Sequence, residues 1–257
     1  MKKKKKYNRK EGLAACVFIL PALIPLLLFW IGPVFYSAGL SFTDWDMISA
    51  QINFIGMDNY KSLLGDPEFY RTLKNTLFFS IGNIIPTILF GVLIALALCI
   101  VKRGGFFKTI LFSPYITPMV AVSIVWSWIF EPRVGIFNYL FALVGLPELQ
   151  WTQSSDTAML SVVIVTVWKQ IGWAMIFYVE AIKSSAEYHG SGINRRSRRI
   201  CQIHQNYLAI NFTDTFFLVM ITTINSIQAY DQIQVLTQGG PAGSDKNFVI
   251  LFLYGSI

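Results

Sequence analysis

The chain has 257 residues, of which 54% are apolar and 14% charged, against about 25% charged in an ordinary soluble domain. Too few polar side chains remain to cover a soluble fold of this size, and the same apolar content excludes a disordered or collagen-like chain. The net charge of +7 points to a membrane surface and not to nucleic acid, because the basic residues cluster between apolar runs.

Residues 1–12 form a basic N-terminal segment, with Lys and Arg crowded into positions 2–10. The apolar run Leu13–Phe35 follows, broken only by Pro21, Pro25, Gly32 and Pro33. It is long for a signal peptide and more apolar runs follow, so it predicts a first transmembrane helix. Thr76–Val101, Phe106–Phe130 and Thr157–Ile182 predict the second, third and fourth spans. A fifth, about Tyr207–Tyr230, is weaker, with Asn211, Thr213, Asp214 and Thr215 crowding its start. Phe248–Ile257 reads as the beginning of a sixth. The expected fold is all-α: a polytopic membrane helix bundle of five full spans plus the start of a sixth, residues 13–257 forming a transmembrane domain incomplete at its C-terminus.

Charge gives the orientation. The N-terminus and the connections after the second and fourth spans hold fifteen Lys and Arg; the opposite side holds five, and Lys169 lies inside a span. Setting aside Arg195, Arg196, Arg198 and Arg199, the ratio is still eleven to five. The excess of positive charge puts the N-terminus in the cytoplasm. The longest outer connection, Tyr36–Asn75, carries Trp45, Phe54, Tyr60, Phe69 and Tyr70, aromatics that read mostly as interface anchors.

Nothing in the chain suggests catalysis. Cys16, Cys99 and Cys201 have no metal-ligand spacing, and His189 and His204 lie fifteen residues apart, so neither a disulfide framework nor a metal or cofactor site is expected. No phosphate-binding GxxxxGK[ST] loop, nucleophile–base pair or zinc-helix motif occurs. Function is therefore sought in polar residues inside spans. Lys169 near mid-span costs on the order of 3 kcal/mol to insert. It either lines a solute pathway or meets helix-end carbonyls or the interface. Asn83, Asn225 and Gln228 serve as interhelical glue or line the solute route. Trp126, Trp128 and Trp168 either stack on a sugar ring or pack against helices. The candidate pathway set is Lys169, Asn225, Gln228, Trp126 and Trp168.

Three stretches carry a family resemblance. Phe54-x-Gly56-x-x-Asn59-Tyr60, with Phe69 and Asn75-Thr76, resembles the first outer loop of carbohydrate permeases, the membrane subunits of binding-protein-dependent ABC importers of the maltose and glycerol-phosphate type. Pro114, Pro118, Trp126 and Phe130–Phe137 resemble the third span and following loop of that family. The string from Asn225 through Gln228, Tyr230, Asp231 and Thr237 to Gly239, Gly240 and Pro241 is close to a family signature. The resemblance implies a bundle of about six helices working by alternating access in a bacterial cytoplasmic membrane. It implies as partners a second permease subunit, ATP-binding subunits docking from the cytoplasm, an extracellular solute-binding lipoprotein and the lipid bilayer. ATP hydrolysis would belong to the partner subunits. It also implies that Tyr230, Asp231, Thr237, Gly239, Gly240 and Pro241 lie in an outer loop near the binding protein.

The resemblance fails at one place. Such permeases carry a cytoplasmic Glu-Ala-Ala helix that docks on the ATP-binding subunit, expected just after Glu187-Tyr188. Here the chain reads His189-Gly190-Ser191-Gly192-Ile193, followed by four arginines in five residues. Read one base late, the codons of Gly190–Ile193 permit Glu-Ala-Ala, and later codons permit the start of the next span. The segment therefore reads as a frameshift entering near Tyr188 and compensated near Thr215, in a gene product also truncated before its last span. Glycines weaken a docking helix and clustered arginines repel one another, so this copy is expected to be defective in coupling. The rival, an ion-coupled secondary transporter, predicts internal repeats and in-span carboxylates; neither is evident in spans one to four.

Overall fold

The computed structural model describes residues 9–45, 48, 51–101, 104–189, 212–247 and 249–251. Among them the chain is helical and has no strand; the only β pairing is an isolated bridge between Thr43 and Phe54. It divides into two compact units, Met1–Asp66 and Pro67–Ile257.

In the first unit, helix α1 (Arg9–Leu26) runs through a π turn (Leu27–Ile31) into α2 (Gly32–Leu40). Pro25 and Pro33 each remove a backbone donor around this turn. The ladder relaxes there into one wide turn, closed by the Gly32 N–H on the Leu27 carbonyl. Cys16–Leu40 is long and apolar enough to cross a membrane. The motif Phe54-x-Gly56-x-x-Asn59-Tyr60 then closes a loop. Asp44 accepts from the Asn53 N–H at 2.8 Å and from its amide at 2.9 Å. Asn59 Nδ2 donates to the carbonyls of Ser41 (3.0 Å) and Thr43 (2.9 Å). Phe54 and Tyr60 both pack on Phe42, and Gly56 turns the chain at φ +62°. The final turn is α3 (Asp58–Gly65).

The second unit is built around α8 (Ala158–His189), which packs against α4 (Pro67–Ile100) and α5 (Gly104–Ile116). Small residues let these helices approach. A Cβ on Gly172 would lie 2.0 Å from the Leu111 carbonyl oxygen, and one on Gly91 would lie 2.8 Å from the Ala174 side chain. In a membrane, where water supplies no driving force between helices, this close packing is what holds a bundle together. One apolar cluster gathers Phe79, Val122, Trp126, Phe130 and Val162; the other gathers Ala95, Met175, Tyr178, Ile182 and Leu218.

Pro67–Leu98 and Ala158–Lys183 are each long enough to span, matching the expected second and fourth. The third expected span, Phe106–Phe130, is not one continuous helix. It is two helices, α5 and α6 (Met119–Ile129), bent by 97°. Pro118 is the cause: it lacks an N–H and drives Thr117 out of the α region. After α6 come α7 (Ile136–Leu143) and the long helix α8; α9 (Phe212–Ile227) and α10 (Asp231–Leu236) follow. The apolar part of α9, Asp214–Ile227, reaches only about 21 Å at 1.5 Å per residue, short of a hydrocarbon core of about 30 Å. The first residues of the expected fifth span, 207–211, most of Phe248–Ile257, and the segment holding Gly190, Ser191 and Gly192 lie outside the described residues. Glu187 and Tyr188 fall in the last turns of α8.

Candidate translocation site

Two positions fall at the centres of their spans: residue 83 in Pro67–Leu98 and residue 170 in Ala158–Lys183. Both are amides, and they meet. Asn83, fully buried, donates through Nδ2 to Ser226 Oγ on α9 at 2.8 Å and to Gln170 Oε1 on α8 at 3.3 Å; Thr87 donates to Asn83 Oδ1. A hydrocarbon environment offers these groups no water, so they satisfy one another. Thr222, one turn before Ser226 on α9, adds a buried hydroxyl with no partner among the described residues. Three helices are thus joined by a polar belt lying between apolar cores.

Lys169 borders this belt. Its ammonium donates to the carbonyls of Pro114 (3.1 Å), Tyr115 (2.8 Å) and Thr117, and stands 5.7 Å from the centre of the Tyr115 ring. These carbonyls end α5 at the bend. Lys169 thereby takes the helix-end geometry that the sequence left open beside a pathway role. Next to it, Trp168 is 42% exposed and meets Trp126 edge-on at 5.4 Å, whereas Trp126 itself is buried. Trp128 is exposed. Lys169, Trp168 and Trp126 therefore form one neighbourhood around the α5–α6 bend.

Asn225, on the exposed side of α9, and Gln228, exposed just past its end, stand apart from the belt, while Thr222 and Ser226 take the buried side of α9. Gln170 and Ser226, which the sequence reading did not single out, make the interhelical contacts. A signal was available for Gln170, an amide beside Lys169 at the middle of an apolar run. Ser226 offered none, since serine is common in membrane helices.

On α7, Asn138 organises a platform of loops. Its amide donates to the carbonyls of Pro132 and Leu149 (both 2.9 Å) and accepts from the Leu149 N–H (3.1 Å) and the Trp151 indole (2.8 Å). Every bond this side chain makes ties a loop, and Trp151 stacks on Phe130 at 5.0 Å.

The segment from Tyr230 to Pro241 forms a short helix and a glycine turn. Tyr230 caps the start of α10, Asp231 is its first residue, and Thr237 caps its end. Gly239 (φ +89°) and Gly240 (φ +68°) take the left-handed conformation, and Gln238 joins them at φ +53°. Pro241 starts a 3-10 turn. The turn is pinned to α4: Asn75 donates to the carbonyls of Gly243 (3.4 Å) and Lys246 (3.2 Å), and Lys246 pairs with Glu68 at 2.9 Å. Asn247 donates to the Ala229 carbonyl. Inside this turn Asp245 is fully buried, and among the described residues neither carboxylate oxygen accepts a well-formed hydrogen bond. Its Oδ1 fills the space a Cβ on Gly240 would need, at 2.5 Å from that position. Burial pushes the Asp245 carboxyl up to about 6, with the Thr237 hydroxyl offsetting part of the effect. Among the described residues no cluster of His, Cys, Asp and Glu could hold a metal.

No family model matches the chain. Individual proteins do. It is 30% identical over 246 residues to the probable ABC transporter permease protein YurN of Bacillus subtilis, covering 93% of this chain and 84% of that protein. The chain belongs to the ABC transporter permeases. A probable ABC transporter permease protein of Pyrococcus horikoshii is 31% identical to this permease over 89% of its length and 80% of its own. The sn-glycerol-3-phosphate transport system permease protein of Agrobacterium fabrum is 29% identical over 91% of this chain and 80% of that protein. In fold, the permease resembles a chain of a bacterial ABC transporter involved in the import of the acidic polysaccharide alginate. The TM-score is 0.72 at 22% identity, over 95% of this chain and 84% of that one. Such permeases are integral membrane subunits, and the apolar spans of this one agree with that role.

Proposed function

We propose that this chain is the membrane-spanning subunit of an ATP-driven importer for a sugar or related solute. Its partners are a second permease subunit, ATP-binding subunits on the cytoplasmic side and an extracellular solute-binding lipoprotein. The observation that carries this reading is the 30% identity to an ABC transporter permease along 93% of the chain. The solute class is supported by relatives whose names specify glycerol-3-phosphate and starch degradation products. Hydrolysis of ATP belongs to the partner subunits.

In this reading the chain sits in a bacterial cell membrane with residues 1–12 cytoplasmic. It crosses five times, the bent α5–α6 pair counting as the third crossing, and a sixth crossing starts near residue 248. The solute route passes the neighbourhood of Trp126, Trp168 and Lys169, with Asn225 on the exposed side of α9 and Gln228 just past its end completing it from another face. Tyr230, Asp231, Thr237, Gly239, Gly240 and Pro241 face the binding protein. Residues 187–192 occupy the coupling position, and a frameshift there explains why Glu-Ala-Ala is absent. The nucleotide sequence of the gene tests that point, because the shifted frame must spell Glu-Ala-Ala across Gly190–Ile193.

The function is tested by uptake of labelled sugar into proteoliposomes holding the loop-repaired chain with its partner subunits. ATP on the cytoplasmic side should drive uptake, and collapsing ion gradients should leave it intact. Uptake that follows a proton or sodium gradient without ATP would replace this reading with a secondary transporter.

A further inference from the structure

The α5–α6 bend lies inside the apolar part of the chain, and a bend there has a cost. Pro118 has no N–H, so the carbonyl of Pro114, four residues earlier, loses its helical donor. The carbonyls of Tyr115 and Thr117 also end α5 instead of continuing into α6. In hydrocarbon no water replaces those donors. An ammonium has three N–H groups and no acceptor, and the ammonium of Lys169 meets these three carbonyls. Cationic charge at the negative end of a helix is also favoured by the helix dipole. The three donors of the ammonium therefore take three of the four carbonyls, residues 114–117, that the break frees.

We propose that Lys169 is a positioning residue: a tethered cation that occupies a three-carbonyl site at the Pro118 break and holds α5 and α6 as a fixed elbow. Lys169 then serves the transport route through the elbow it holds, and its protons are not available to a passing solute. The elbow is a rigid part of the path and not its hinge. Its neighbours fit this role. Gly172, three residues on, brings α8 directly against the Leu111 carbonyl of α5, so the α8 backbone is already close enough for Lys169 to reach across. Tyr115 stacks on Trp173 at 5.9 Å, which steadies the same end of α5.

The test uses the full chain in lipid nanodiscs, with Cys16, Cys99 and Cys201 changed to Ser and spin labels at Phe107→Cys and Trp128→Cys, both exposed positions. At 1.5 Å rise per residue the backbone separation of these sites is about 21 Å for the bent pair and about 31 Å for a straight helix. The lysine form should give one narrow distribution near the shorter value. Lys169→Ala should broaden it or shift it to longer distances. Adding n-propylammonium, the fragment that alanine lacks, should restore the narrow short distance. Tetramethylammonium carries the same charge without an N–H and should not. If Lys169→Ala does not fold, Pro118→Ala/Lys169→Met should: with residue 118 able to donate, the helix should straighten toward the longer distance. An unchanged narrow short distance in Lys169→Ala would overturn the proposal. So would equal rescue by tetramethylammonium, or a Pro118→Ala/Lys169→Met chain that stays bent. The bend is read whether or not the chain imports sugar, so failure of the proposed function would leave these outcomes interpretable.

Discussion

Replacing Asp245 by Asn tests whether the turn after α10 holds a carboxyl group destabilised by burial. Asp245 is fully buried without a well-formed hydrogen bond among the described residues, and its carboxyl is pushed up to about 6 from an ordinary 3.8. The packed turn therefore binds a proton more tightly than the opened turn does. Stability is full below pH 3.8, where both forms are protonated, and falls as pH rises toward about 6. Above that the penalty levels off at about 3 kcal/mol, at 1.36 kcal/mol per unit of displacement. About half of it already acts at pH 5, so raising the pH from 5 to 7.5 should cost on the order of a further 1 kcal/mol, about tenfold in the opening equilibrium. Hydrogen exchange of the amides of residues 237–247, corrected for intrinsic rate, reads that equilibrium. Wild-type protection should fall about tenfold between the two pH values, and Asp245→Asn should be level. A level wild-type profile, or a slope that survives in Asp245→Asn, would refute the reasoning.

Gly172→Val should separate α8 from α5, because even a Cβ would sit 2.0 Å from the Leu111 carbonyl oxygen. A loss of about 3 kcal/mol or more is expected, read as a lower melting temperature in detergent. Asn138→Ala should remove four hydrogen bonds and strand the Trp151 indole. At about 1 kcal/mol each the platform should lose about 4 kcal/mol, read as a red-shifted Trp151 emission in a chain whose other tryptophans are replaced. Asn83→Ala should cost less, about 1 to 2 kcal/mol, since interhelical bonds in membranes average near 0.6 kcal/mol; thermal unfolding in nanodiscs measures it. Lys246→Ala should change stability by less than about 1 kcal/mol, because its pair with Glu68 is partly exposed. Any loss should vanish at high salt.

The apolar runs told most of the fold in advance. Leu13–Phe35, Thr76–Val101 and Thr157–Ile182 each lie largely within a helix long enough to span, because twenty uninterrupted apolar residues leave a membrane chain few alternatives. Phe106–Phe130 was legible as apolar but not as bent. Pro118 announced a break, yet its angle depends on what satisfies the freed carbonyls, and that donor, Lys169, lies on another helix. The turn after α10 was readable at Gly239 and Gly240, where glycine marks positive φ, and not at Gln238, which takes the same conformation without that mark. The amide belt was half visible. Asn83 stood out as polar in an apolar run, but which of Asn225, Ser226 and Gln228 faced it depended on the rotation of α9 about its axis. Period alone does not settle that when the helix carries polar residues on more than one side.

The order in which the chain is made gives the bend a history. Pro114, Tyr115 and Thr117 leave the ribosome 52 to 55 residues before Lys169. At about 5–20 residues per second, roughly 3 to 11 seconds pass in which three main-chain carbonyls at a proline break have no partner of their own. During that interval α5 cannot be released fully into lipid, since nothing there can hydrogen-bond those groups. The insertion machinery, or water retained within it, must hold the half-made elbow until α8 arrives. Synthesis stalled between residues 118 and 169 would therefore leave a nascent chain that membrane quality control can recognise by its exposed backbone, before any apolar surface is misplaced.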